Sequence, residues 1–498
     1  MEAAGLAVPL LGLSLAILAS YSYYCTSYSN KRYPPGPRGL PFVGNIFDMP
    51  RHHEWETFSQ WALRYGDVVH VKIFGKHLIL LNSAQAVNDL LDKRSSIYSD
   101  RPHFPLIDLV GQKFNFGFMS YGKPWSSRRR TFAAQFGRTS PSTYPSHSSA
   151  VMNLLQNLHT RPEALLDHAQ LLAAQLILDV TYGLSVKARD DELVRNAEAV
   201  MSNVAIAVRP EMWIVNPRLF ITHLPRWLGG GLLARHMRKW ETDAQVFRLL
   251  PFKLATERDN GKNCLVKQLM EDRPSSLSKE AHAEFVMDCA AVAYGGGTDT
   301  VVAATSSFFL AMALYPDVQR KARSEIDQIV GKGRLPDFSD RPGLPYISAI
   351  VRETLRWNPP APQGIPHLLV EDDEYRGYHI PKGSIIVGNI WHILHNQAAY
   401  AYPTDFEPER HLADGKLAPD EFSRAAFGFG RRVCPGKAFA EDLLWLLVAQ
   451  VLSVFEIAQV EETVPLQAKF TSGTFAHPLP FKCDIKPRSE DVLVLLKE

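Results

Sequence analysis

Hydrophobic positions along this chain change their period several times, and each change predicts an element. Residues 68–74 and 77–81 are two β-rich runs on either side of Gly75-Lys76, which predicts a β-hairpin. Residues 317–330 (DVQRKARSEIDQIV) place apolar side chains at helical spacing on a charged background, so they predict an amphipathic helix. Residues 285–314 are apolar and alanine-rich throughout and read as one helix of about eight turns. Asp299 and several small polar residues inside it make a poor membrane span. A further helix is predicted over 438–451 (AFAEDLLWLLVAQV). Much of the remainder has helical character, with no 20–50-residue repeat and no break in composition. The expected fold is mainly α with a small β region, in a single large domain.

The first apolar run is different in kind. Residues 3–20 carry no charge and are just long enough to cross a bilayer as a helix. Tyr21, Tyr23, Tyr24 and Tyr28 follow at headgroup level, then Lys31, Arg32 and Arg38, whereas only Glu2 precedes the run. By the positive-inside rule the body lies in the cytosol. A cleaved signal peptide is the competing reading, but it wants a basic start, which is missing. Residues 33–45 (YPPGPRGLPFVGN) form a Pro/Gly-rich joint, expected to be stiff and extended. The organisation expected is an anchor at 1–30, a hinge at 31–45 and a body at 46–498.

Composition narrows the chemistry. With 46% hydrophobic residues and a net charge of +2 in 498 residues, the chain can bury a large core and has no bulk attraction to nucleic acid. Five scattered cysteines with no CxxC pair suggest neither a zinc site nor a disulfide scaffold. A reducing compartment fits.

One cysteine stands in a distinctive setting. Residues 427–436 read FGFGRRVCPG, with Cys434 in a glycine-rich turn ahead of the last predicted helix. Gly428, Gly430 and Gly436 let the backbone turn tightly beside a flat cofactor, and turn amides and a helix start both favour thiolate over thiol. Within the long helix, Ala293, Gly296, Gly297 and Thr300 share one face, small residues ending in a hydroxyl. Gly295-Gly296-Gly297 costs the helix roughly 1 kcal/mol per glycine against alanine, so the run needs a reason. Helix–helix packing is one candidate, open space beside a cofactor another. Glu353 and Arg356 are spaced to pair on one helix face, as are Glu192/Arg195 and Glu407/Arg410. No Walker loop, HExxH, flavin or nicotinamide motif occurs.

In this order the segments resemble the cytochrome P-450 superfamily of haem-thiolate monooxygenases. The match covers the anchor, the hinge, the WxxxR helix (Trp125, Arg129), the oxygen motif (Gly296, Gly297, Asp299, Thr300), ExxR (Glu353, Arg356), the 406–410 element and the cysteine loop. Val301 departs from a position that is often Thr or Ser. The resemblance implies haem b with Cys434 as axial ligand, and Phe427, Trp125, Arg129, His367 and Arg432 around the cofactor, several of them on its propionates. It implies a proton relay through Asp299 and Thr300, and a structural network of Glu353, Arg356 and Arg410. Electrons would come from NADPH-cytochrome P-450 reductase, with cytochrome b5 as a further partner, at the endoplasmic reticulum membrane. Residues 98–102, 116–122 and 427–432 resemble fungal members of secondary metabolism, similar to the O-methylsterigmatocystin oxidoreductase-like group. The implied substrate is a small apolar or aromatic organic molecule, met in regions 104–118, 204–213, near Tyr294, 362–369 and 472–477. An O2-independent haem-thiolate isomerase or dehydratase, or a non-enzymatic haem protein of the membrane, is the alternative. Arg128, Arg130, Arg431 and Lys437 are expected to form a basic patch for an acidic electron donor.

Overall fold

The computed structural model describes residues 12, 15–16, 19–20, 32–209, 230–257, 261–419, 423–460 and 465–496. The expected apolar anchor therefore lies almost wholly outside the described residues.

The body is mainly helical, as expected. Its principal helices are α1 (Glu54–Tyr65), α2 (Lys123–Phe136), α3 (Tyr144–Thr160), α4 (Leu165–Tyr182), α5 (Glu192–Ala207), α6 (Gly230–Glu257), α7 (Lys279–Leu314), α8 (Pro316–Ile329), α9 (Pro345–Trp357) and α10 (Lys437–Val454). The spine is α7, 36 residues long. It starts six residues before the expected apolar run, because the Ser278 side chain caps it by accepting from the amide of Ala281. It is long and apolar enough to cross a membrane, yet most of its residues are buried inside the fold. A continuous core joins α3, α4, α7, α9 and α10.

The β part is small and positions one site residue. Strands β1 (Val68–Ile73), β2 (Lys76–Leu81), β3 (His367–Leu368) and β6 (Ile385–Gly388) make one sheet in the order β1-β2-β6-β3. Short ladders join β4 (Asp373–Tyr375) to β5 (Tyr378–Ile380), β7 (Leu412–Ala413) to β8 (Lys416–Leu417), and β9 (Phe455–Gln459) to β10 (Cys483–Pro487). The β1–β2 hairpin forms as expected, but its turn is Phe74-Gly75, one residue earlier than Gly75-Lys76. A two-residue turn that suits the strand twist requires positive φ at both positions, and these residues have φ of 47° and 81°.

The Pro/Gly joint docks on this sheet but is not extended throughout: after an irregular run over 32–39 it turns back at 40–44, where Leu40 and Gly44 exchange two backbone bonds of 2.9 Å. The amide of His70 donates to Pro35 O at 2.9 Å, and that of Asn45 to Lys72 O at 2.7 Å. Tyr33 stacks on His70 and His77 with ring centroids 5.2 and 5.5 Å away. Those two imidazoles meet at 2.9 Å; burial, His77 and Lys72 push His70 down to about 3, and burial, Lys72 and His379 push His77 down to about 4. Both rings are therefore neutral at physiological pH and stack without repulsion.

Phe74 is half exposed in its left-handed conformation, so Phe74→Asn should stabilise the body by about 0.5–1 kcal/mol, measured as a higher melting temperature.

Candidate functional site

The cysteine loop is held by its own backbone. The Cys434 amide donates to Phe427 O at 2.7 Å, and that of Gly430 to Asp92 Oδ1 at 2.6 Å. Gly430 is obligatory: its φ is +56°, and a Cβ there would lie 2.0 Å from Leu91 O. Gly436 has an ordinary φ of −99° instead, and its expected role as a turn glycine is replaced by another. Its amide donates to the Cys434 sulfur, just where α10 begins. Burial pushes the Cys434 thiol up, while Gly436 and Arg129 pull it toward thiolate. Yet the residue remains accessible. A group both desolvated and accessible lines an interior hollow.

Cations gather near that loop. Trp125 is buried under the Arg432 guanidinium, 4.3 Å from its ring centroid. Arg129 donates to Val433 O, and Arg432 donates to Ser99 O and Met119 O, both at 2.8 Å. A third guanidinium, Arg101, was not foreseen: it donates to Ile365 O, Pro366 O and Gly117 O at 2.7, 2.8 and 3.1 Å. Burial lowers all three, Arg432 to about 10, and Arg101 feels both of the others as like charges. Asp100 offsets Arg101 and Arg432. Buried like charges bonded only to carbonyls are costly unless an anion sits among them. A dianionic haem fits that requirement, and Cys434 suits its iron.

His367, on β3, is also buried, and its Nδ1 meets Tyr98 O at 2.8 Å. A carbonyl only accepts, so Nδ1 carries a proton. Burial, Arg101 and Arg432 hold the ring well below its usual value, hence neutral. Donation from Nε2 to a propionate would therefore need proton uptake with the anion.

On α7 the three glycines serve different neighbours. A Cβ on Gly297 would lie 2.6 Å from Ile177 Cδ1 of α4, and one on Gly295 would lie 3.0 Å from Met201 Sδ of α5. Gly296 meets nothing within 4 Å and is exposed, although it sits in the middle of the buried spine. Gly295 and Gly297 thus serve helix–helix packing, and Gly296 faces open space. The Thr300 hydroxyl donates to Gly296 O at 3.0 Å. Asp299 Oδ1 lies 3.3 Å from His477 Nε2.

Glu353, Arg356 and Arg410 do come together. Arg356 grips the Glu353 carboxylate through two bonds of 2.7 and 2.8 Å, and Arg410 Nε adds one of 3.1 Å. His411 Nε2 (2.9 Å) and the Glu407 amide (2.8 Å) complete the shell. Burial alone would raise the Glu353 carboxyl, but the bonds from His411 and Arg356 win and hold it below its ordinary value. His411 was missed. Its signal was a polar residue directly after Arg410.

The apolar regions converge only in part. Phe104, Ile107, Val204, Val208, Ile365 and Phe118 form one cluster, whereas Phe114 packs on the main core under Arg248. Residues 210–213 of the 204–213 region lie outside the described residues. The basic patch needs correction. Asp288, buried on α7, pairs with Arg128 at 2.8 Å and with Arg248 of α6 at 2.6 Å, so Arg128 faces inward. Arg431 bonds the Tyr121 hydroxyl, Lys437 lies 3.6 Å from Glu441, and Arg130 is exposed.

Comparisons with known proteins agree with this geometry. The cytochrome P-450 family model matches residues 34–485. Cytochrome P-450 monooxygenase 208 of Postia placenta is 38% identical over 93% of this chain and 92% of its own length. Cytochrome P-450 monooxygenase COX1 of Coprinopsis cinerea is 36% identical, over 94% and 93%. Cytochrome P-450 monooxygenase ple1 of Rhodocybe pseudopiperita is 35% identical, over 97% and 95%.

Three outcomes follow from these contacts. Gly297→Ala should destabilise the haem-free protein by about 1–3 kcal/mol through overpacking on Ile177. Gly296→Ala should instead leave it unchanged or stabilise it by about 0.5–1 kcal/mol while reducing haem uptake, read by thermal melts and haem absorbance. For Glu353, a depressed carboxyl contributes stability above the ordinary carboxylate range and loses it as pH falls through its lowered value. His411→Phe should cost about 1.5–3 kcal/mol at neutral pH and move acid unfolding, followed by circular dichroism, to higher pH.

Proposed function

This chain belongs to the cytochrome P-450 family, and from that premise we propose that Cys434 would supply the thiolate that holds its haem iron. As a monooxygenase of that family it uses a cysteine-ligated haem, dioxygen, an organic substrate and a redox partner. When bound, the haem supplies an iron that activates dioxygen, so that one oxygen atom enters the substrate.

The residues around it divide the remaining work. Arg129, Arg432 and Arg101 balance the propionates, and Trp125 and Phe427 wall the cofactor. His367 joins them as a proton donor once the dianion makes its imidazolium favourable. The Gly436 amide holds negative charge on the Cys434 sulfur. Thr300 keeps a proton at Oγ1, parked on Gly296 O, and Asp299 replaces that proton after it is given up. These two adjacent residues point about 100° apart on α7, so the helix carries a proton from one of its faces to the other. Glu353, Arg356 and Arg410, with His411, keep the core rigid around the cofactor.

The cluster of Phe104, Ile107, Val204, Val208 and Ile365 favours an apolar or aromatic substrate and excludes water. The uncharged run at 3–20 and the basic residues after it support a single-pass anchor in the endoplasmic reticulum membrane, with 31–45 as hinge and 46–498 as the cytosolic catalytic domain. NADPH-cytochrome P-450 reductase, assisted by cytochrome b5, is the electron donor that suits this placement. Likeness at 98–102 and 116–122 to fungal members of secondary metabolism supports a role there.

The accessible, desolvated thiol of Cys434 carries this reading. Protein expressed in microsomes with a reductase should give the thiolate-type band when reduced under carbon monoxide and should consume oxygen only with NADPH. Cys434→Ser should abolish both. Persistence of the thiolate band in that variant would remove Cys434 as ligand.

A further inference from the structure

On another side of α7 from Gly296 and Thr300 lies a cavity of about 330 Å3 between α4, α5 and the 469–479 hairpin. Gln170, Glu198, Ser202, Asp299 and His477 give it polar walls. At roughly 30 Å3 per molecule it has room for several waters. The Gln170 side-chain oxygen is buried without a protein partner, as expected where water completes the bonding. Glu198 is engaged by Arg189 at 3.4 Å.

Asp299 belongs to this cavity, and its carboxylate meets the His477 imidazole, Nε2 to Oδ1 at 3.3 Å. The imidazole stands on a fixed post. The His477 amide donates to Thr471 Oγ1 at 3.0 Å, and its carbonyl accepts from the Thr471 amide at 2.7 Å. Next to it, the Ala476 amide donates to Pro360 O at 3.0 Å. The Asn358 side-chain Nδ2 donates to Ala476 O at 3.2 Å and to Ser307 Oγ of α7 at 2.8 Å. The hairpin is thereby tied to the helix that carries Asp299.

We propose that His477 is the positioning residue for Asp299, holding its carboxylate between the water-filled cavity and α7 so that protons from solvent are received there. The proposal rests on the reading of Asp299 and Thr300 above. One proton from bulk solvent enters through a cavity water, which takes it up as it gives one of its own to the Asp299 carboxylate, so no hydroxide is left behind. Asp299 then passes one proton to Thr300 Oγ1 as Thr300 gives up its own toward the reaction centre. No electron moves in the exchange, and cavity water restores the starting state.

The test uses the membrane-bound holoenzyme with reductase and NADPH and no added substrate. It follows oxygen consumption in ordinary and deuterated water, each variant normalised to its carbon monoxide-binding haem. His477→Leu lowers the rate about tenfold and enlarges the solvent isotope effect, whereas His477→Gln, which keeps a nitrogen donor at that reach, restores the rate to within about twofold. If Asp299→Asn itself runs at the wild-type rate and isotope effect, the reading of Asp299 fails. If Asp299→Asn is slowed but His477→Leu is not, this inference alone is overturned. A second readout needs no turnover. With 15N-labelled histidine in the diamagnetic ferrous carbon monoxide form, the His477 ring signal, identified by its loss in His477→Gln, shifts in Asp299→Asn and not in Thr300→Val. An unmoved signal in Asp299→Asn overturns the pairing even where the leucine variant does not fold.

Discussion

The carboxylate of Glu353 is where the chain's distant parts are fastened together. It is fully buried, and an ion in that position is tolerated only if every lone pair is engaged. Arg356 engages it from the same helix, Arg410 and His411 from a short helical turn, and the Glu407 amide from the backbone between. Arg356 also spends its remaining donors on Leu394, Pro403 and Asp405 carbonyls. One anion therefore sets the path of a long irregular stretch that no regular element holds. The cysteine loop follows directly from it, so the thiol's place depends on a group that never touches the cofactor.

The same logic of opposed demands runs through α7. Three glycines weaken a helix that must be the longest element of the body, and each is matched to a separate neighbour. Two let α4 and α5 approach closely, and one leaves a gap. Packing on both flanks compensates for poor intrinsic helicity, and the third flank stays open. Asp288, about two and a half turns into α7, adds an ionic grip on α2 and α6 through Arg128 and Arg248.

How much of this was legible follows from distance along the chain. The cysteine loop, ETLR, the hairpin and the long helix are local patterns, and each is present, the hairpin with its turn one residue early and the helix starting six residues early. The misses are partnerships across long separations. Arg101 finds two of its three carbonyls beyond residue 364, and His411 finds Glu353 58 positions back, with nothing nearby to announce either. Arg128, Arg129 and Arg130 looked like one basic surface because they are consecutive. A helix turns about 100° per residue, so one faces Asp288, one the cysteine loop and one solvent. The hairpin turn slipped by one because composition favours Gly-Lys, while strand twist demands two left-handed residues.

The docking of Tyr33 and Pro35 on β1 and β2 fixes a compass bearing. Whatever lies upstream departs from the body at one defined point on the edge of the small sheet. Lengthening or swapping residues before 32 would then alter reach and leave heading unchanged. Loosening the stack of Tyr33 on the two histidines would do the reverse, turning the body on its tether while every group around Cys434 stayed where it was.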